Sequence, residues 1–183
     1  MSITVVRKEE TQQSGKSAVQ HFEDVASKEK ELKAKMSILA ELFAKKPTDN
    51  FTVAVPPYDK DDFINQGDIM IFPEGTEMYD MYIKTFEVTG EAKNMNLQKG
   101  VSMTGNHELC PMPGSKWSIT DGKIKVKNMA SSGARDISWD AKLCTCDEPF
   151  TLYHDQHGNV TMYAPKFLAC IQVDAKTYRE VRD

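Results

Sequence analysis

The residues best suited to chemistry lie in one stretch, Cys144-x-Cys146 followed by His154-x-x-His157. Two thiols and two imidazoles are a donor set that holds Zn²⁺ tetrahedrally, and a hairpin would bring the two pairs together. His107-x-x-Cys110 offers alternative ligands. The spacing departs from the usual zinc pattern, since C-x-C replaces C-x-x-C. Alternate strand positions also aim both sulfurs to one face only if the strand is regular. The competing reading is two small core thiols beside a polar turn, with His157-Gly158-Asn159 supplying the turn chemistry. Zinc is thus the one cofactor the sequence suggests, against a default of none.

A thiol nucleophile is the next candidate. Cys110, Cys144 or Cys146 could pair with His107, His154 or His157 as base, and Asp155 could orient that base. No local signature singles out one combination, and activation requires a lowered thiol pKa. Gly15-Lys16-Ser17 matches the end of a phosphate-binding loop, but the earlier glycine falls on Glu10 and no buried strand precedes it. Asp59, Asp61 and Asp62 lack the alternating pattern of a calcium loop and read as a solvated loop.

The elements that must carry these residues divide at Pro47. Before it, Ala18, Phe22, Val25, Leu32, Met36, Leu39 and Phe43 form a 3–4 spaced apolar seam broken only by Glu29. Such a narrow seam is what one helix uses to grip another. Ser17 with Gln20 is a capping box, and Pro47 cannot continue a helix, so a long helix is expected over 17–46, about 45 Å in length. Residues 1–16 read as a polar arm, although Ile3, Val5 and Val6 could add a short strand to a sheet edge.

After Pro47 the apolar period becomes two, and 51–183 reads as a β-rich domain. Strands are expected at Phe51–Val55, Ile69–Phe72, Met78–Val88, Thr151–Tyr153, Val160–Met162 and Phe167–Val173, with a short terminal helix over Ala175–Val181. Asp121-Gly122 between Trp117–Ile119 and Ile124–Val126 predicts a two-residue hairpin turn. Gly90–Pro113 carries the least pattern and reads as long loops that could include one strand. The expected class is therefore α+β: a long N-terminal helix followed by a sandwich- or barrel-like, mainly antiparallel body.

Composition narrows the partners. A formal charge of −4 argues against nucleic acid, which wants a basic surface. The local cluster Lys116, Lys123, Lys125 and Lys127 reads as a solvated strand face or a protected sheet edge. No apolar run approaches the ~18–20 residues that span a bilayer, and MSITVVRKEETQQ has no signal-peptide core. A cytoplasmic or virion setting with reduced thiols is expected, with no membrane partner. Most of the ten methionines fall in the β-rich part, where core filling is preferred over interface use.

These features favour a non-enzymatic structural or assembly protein, of virion or phage-tail type, that binds copies of itself or other subunits. The expected interface is the seam Phe22, Val25, Leu32, Met36, Leu39 and Phe43. The alternatives are a zinc-stabilised recognition module and a small cysteine-dependent hydrolase. If Asp121-Gly122 is a turn, Gly122→Val should cost about 1 kcal/mol or more in a melting experiment, because a branched residue resists positive φ.

Overall fold

The structure is a computed structural model that describes residues 18–44, 51–54, 56–96, 101–103, 107–130 and 133–173. The chain divides into two compact units, Met1–Ala34 and Lys35–Asp183. Helix α1 (Ala18–Ala44) begins in the first and ends in the second. The expected arm at 1–16, the cap at Ser17, the end of the helix at Lys46 and the terminal helix over Ala175–Val181 lie outside the described residues.

In the first unit every described side chain from Asp24 to Glu31 is exposed, Val25 at 49% included. In the second, Met36 and Leu39 of the same helix are 2% and 1% exposed, and Lys35 Nζ donates to Glu148 Oε1 at 2.7 Å. The seam is therefore not uniform: one part is spent inside the chain.

The β-rich unit runs β1 (Phe51–Ala54), β2 (Ile64–Gln66), β3 (Ile69–Pro73), α2 (Glu77–Ile83), β4 (Phe86–Val88), β5 (Lys93–Asn96) and β6 (Val101–Ser102). It continues through β7 (Glu108–Pro111), β8 (Lys116–Ala130), β9 (Gly133–Cys146), β10 (Phe150–Tyr153), β11 (Asn159–Met162) and β12 (Lys166–Ile171). One sheet has the order β1-β11-β10-β7-β6; the other has β2-β3-β12-β9-β8-β4, with β5 pairing β8. All pairs are antiparallel except β1 with β11.

Alternation explains the larger sheet. Ile69 and Ile71 of β3, Cys144 and Cys146 of β9, and Phe167 and Ala169 of β12 join one core, together with Leu109, Phe150, Leu152, Val160 and Met162 of the other sheet. Their neighbours Phe72, Ala141, Leu168 and Cys170 join a second core on the opposite face, with Tyr79 of α2 and Trp139. A sheet buried on both faces reads as continuous apolar runs, which is why Ile69–Phe72 is legible as a strand. In the first core Phe150 stacks on Phe167 at 5.0 Å, and Trp117 meets Phe150 edge-on at 5.0 Å.

Three expectations are corrected. Met78–Val88 is not one strand. Thr76 caps α2 by accepting the Tyr79 amide at 3.3 Å, and Tyr79, Met78, Tyr82 and Ile83 cover the second core at helical spacing. Gly90–Pro113 holds three short strands, β5 to β7, recruited by pairing rather than by apolar pattern.

The third correction concerns Asp121-Gly122, which lies inside β8. The strand pairs with β9 without interruption from Trp117↔Cys146 to Ala130↔Gly133, so the expected turn at 121–122 is replaced by continuous ladder. Glycine is needed at 122 for space. A Cβ there would run into the Phe86 ring, 2.5 Å from Cε2, and would lie 2.6 Å from the Glu87 carbonyl oxygen. The lysines Lys123 and Lys125 are exposed on this ribbon and pair with Asp140 at 3.1 Å and Glu87 at 2.6 Å, as a solvated strand face does.

Among the described residues no helix is long and apolar enough to cross a membrane. Gly122→Val should destabilise by about 1–3 kcal/mol through this overpacking. Adding Phe86→Ala should recover part of that loss in a denaturant double-mutant cycle. Strictly additive effects would show that the Phe86 contact is not the cause.

Candidate functional site

Buried titratable groups gather at one end of the shared core. The segment before β7 brings His107, the β10–β11 turn brings His154 and His157, and the β2–β3 turn brings Asp68. His107 and His154 are 2% and 3% exposed. The ring centroids of His107 and His154 are 4.3 Å apart, those of His154 and His157 4.5 Å, and those of His107 and His157 6.1 Å. The three imidazoles form a short stack.

Backbone and side chains lock this stack in place. His107 Nδ1 lies 3.1 Å from Asp68 Oδ1 across the two sheets. Gln66, the last residue of β2, donates through Nε2 to the carbonyls of Leu152 at 3.2 Å and Gly158 at 2.5 Å. His154 Nδ1 accepts the amides of Gln156 at 3.1 Å and His157 at 3.2 Å. A neutral His154 therefore carries its proton on Nε2. Burial holds the His107 imidazole below its ordinary pKa, His154 pushes the same way, and Asp68 opposes both.

The sequence-level candidates are distributed differently from the zinc reading. Cys144 and Cys146 sit on β9 inside the shared core, and His154 and His157 sit in the turn with His107 and Asp68. Among the described residues no three His, Cys, Asp or Glu side chains are arranged to hold a metal ion. His154 also spends Nδ1 on backbone amides, which leaves Nε2 protonated rather than open to a metal.

The thiols are poorly set for nucleophilic work. Cys110, Cys144, Cys146 and Cys170 are all buried and unbridged. Burial pushes the Cys144 thiol well up, with Cys146 beside it adding to the shift. Burial also pushes Cys146 and Cys170 up to about 12. Cys146 Sγ donates to the Ala164 carbonyl at 3.1 Å, a contact that suits the thiol and not the thiolate.

Two cavities open nearby on the same unit. One of about 400 Å³ is lined by Ile69, Met103 and Ile171 with Asp121 and Lys142. Its carboxylate is already matched: Lys142 Nζ and Lys93 Nζ both reach Asp121, the latter at 3.3 Å, and the Lys142 hydrogen bond holds the carboxyl below its usual range. The other, about 460 Å³, lies between the edge strands β1 and β2, where Val53 and Phe63 are 49% and 48% exposed.

Sequence reasoning reached His154 and His157 directly and His107 as a reserve ligand, but not Asp68 or Gln66. The only local cue to those two is the turn Gln66-Gly67-Asp68, with Gly67 at φ +58°. Comparison of the chain with protein-family models, with curated proteins and with solved structures returns no match.

Native protein at neutral pH should label with a thiol reagent at Cys144, Cys146 and Cys170 at least about 100-fold more slowly than in urea. Rapid native labelling at any of the three would reveal an accessible thiolate and revive the nucleophile reading.

Proposed function

We propose that the chain is a non-enzymatic assembly protein, in which a sandwich-like β body is joined to copies of itself or to other subunits through the N-terminal helix. The observation that carries this reading is the division of the α1 seam. Met36 and Leu39 are buried within the β-rich unit, whereas Val25 is half exposed among neighbours that are all exposed. A helix segment whose apolar stripe is left largely open is marginal alone, and a partner helix is the ordinary source of its stability. Leu32, between Val25 and Met36, is half-buried, and the side chains of Phe22 and Phe43 lie outside the described residues.

Other features agree with recognition rather than catalysis. The thiols are buried, burial pushes Cys144, Cys146 and Cys170 up, and the cavity carboxylate Asp121 is matched by two lysines. The exposed Val53 and Phe63 beside edge strands β1 and β2 add a second apolar surface suited to contact. The sandwich-like reading of the body is supported by the one core that draws on both sheets.

Light scattering after size exclusion tests the proposal. Full-length protein should be an oligomer, and Val25→Asp with Leu32→Asp should give a smaller species with its β signal intact. A monomeric parent protein, or an unchanged mass in the double variant, would remove the seam from any self-assembly. Leu39→Ala should act differently, lowering stability by about 2–5 kcal/mol in denaturant while leaving the mass unchanged.

A further inference from the structure

We propose that Asp68, His107, His154 and His157 form an acid-released latch, which holds the β2–β3 turn of one sheet to the β10–β11 turn of the other. Two of its contacts require a neutral imidazole, while the third, Asp68 beside His107, only partly offsets the burial that disfavours charge on His107. His154 Nδ1 offers its lone pair to the amides of Gln156 and His157. A proton on that nitrogen sets a donor against two donors and ends both bonds. The same proton gives Nδ1 a new partner, because Asp155 Oδ1 lies 3.4 Å away and is half exposed. The ring thus has one set of partners when neutral and another when charged.

The neighbours amplify the effect. With centroids at 4.3 Å and 4.5 Å on its two sides, His154 cannot be charged together with His107 or His157 without repulsion at low local dielectric. Among the described residues Asp68, in the β2–β3 turn of the opposite sheet, is the carboxylate set against His107. Among the described residues the charged or titratable groups acting on His107 are therefore His154, His157 and Asp68, and Asp155 faces His154. Gln66 supplies the uncharged half of the latch through its two bonds to the β10–β11 region.

The direction follows from His107. Its folded-state proton affinity is held below the ordinary imidazole value of 6.5, so the unfolded or opened chain binds the proton more readily. Closure is fully favoured above that value. It is lost as pH falls from there toward the depressed folded value.

Amide hydrogen exchange on the full chain tests this. Corrected for intrinsic chemistry, protection of the Gln156 and His157 amides should fall by about tenfold or more between about pH 7.5 and about pH 5.5. Over the same range the β12 amides should stay protected. His154→Asn keeps a side-chain acceptor at the turn but does not titrate, and it should flatten the response. Should that variant not fold, His154→Gln also offers a side-chain acceptor that does not titrate and should likewise flatten the response of the Gln156 amide. Unchanged protection in the parent protein, simultaneous loss in β12, or an undiminished response in a folded variant would each overturn the latch.

Discussion

The contact on which the rest of the body depends is the aromatic junction of Phe150, Phe167 and Trp117. Phe150 comes from one sheet and the other two from its neighbour, and all are 2% exposed or less. Stacked and edge-on rings at 5.0 Å bury large area and fix how the sheets meet. Leu152 follows Phe150 on the same strand, and the strands paired with these bring Cys144, Cys146 and Met162 into the same core. Once the junction forms, the thiols are desolvated and their reactivity is suppressed by the same burial that stabilises the fold.

The end of that core is closed by polar groups, at a cost that shapes the chemistry. A buried imidazole must find partners or remain neutral. Asp68 lies beside His107 and the turn amides donate to His154, while burial and then the neighbouring His154 disfavour charge on His107. An acid-released latch would join the two sheets more tightly at neutral pH than in acid. The aromatic junction, by contrast, does not respond to pH.

The helix shows how one periodic pattern can serve two ends. A seam repeating at 3–4 residues specifies an apolar stripe and not what covers it. Met36 and Leu39 spend theirs inside the β-rich unit, and Val25 leaves its share open. Assembly through the open part would leave the body intact, which fits a chain whose buried thiols and paired carboxylate offer little for catalysis.

Much of the body was legible from residues alone. Phe51–Ala54, Ile69–Pro73, the pair Phe150–Tyr153 and Asn159–Met162, and Lys166–Ile171 are strands because alternating or continuous apolar runs bounded by glycine, proline or a polar turn leave few other ways to bury them. The mainly antiparallel, β-rich class with an N-terminal helix follows from the same periods. Of the site, His154 and His157 stood out through their spacing. Asp68 and Gln66 did not, because a carboxylate and an amide in a turn carry no signal until another sheet lies against them.

Tertiary structure decided the remainder wherever a local preference was outweighed by a neighbour. Asp121-Gly122 has turn chemistry, yet a long ladder with β9 and the Phe86 ring over Gly122 make it mid-strand. Met78 to Ile83 alternates well enough for a strand, yet the Thr76 cap and the second core select a helix. The sequence by itself determined where apolar periods begin and end, since those depend on residues close in the chain. Which face meets which, and so which histidines stack, depended on contacts between residues far apart in it.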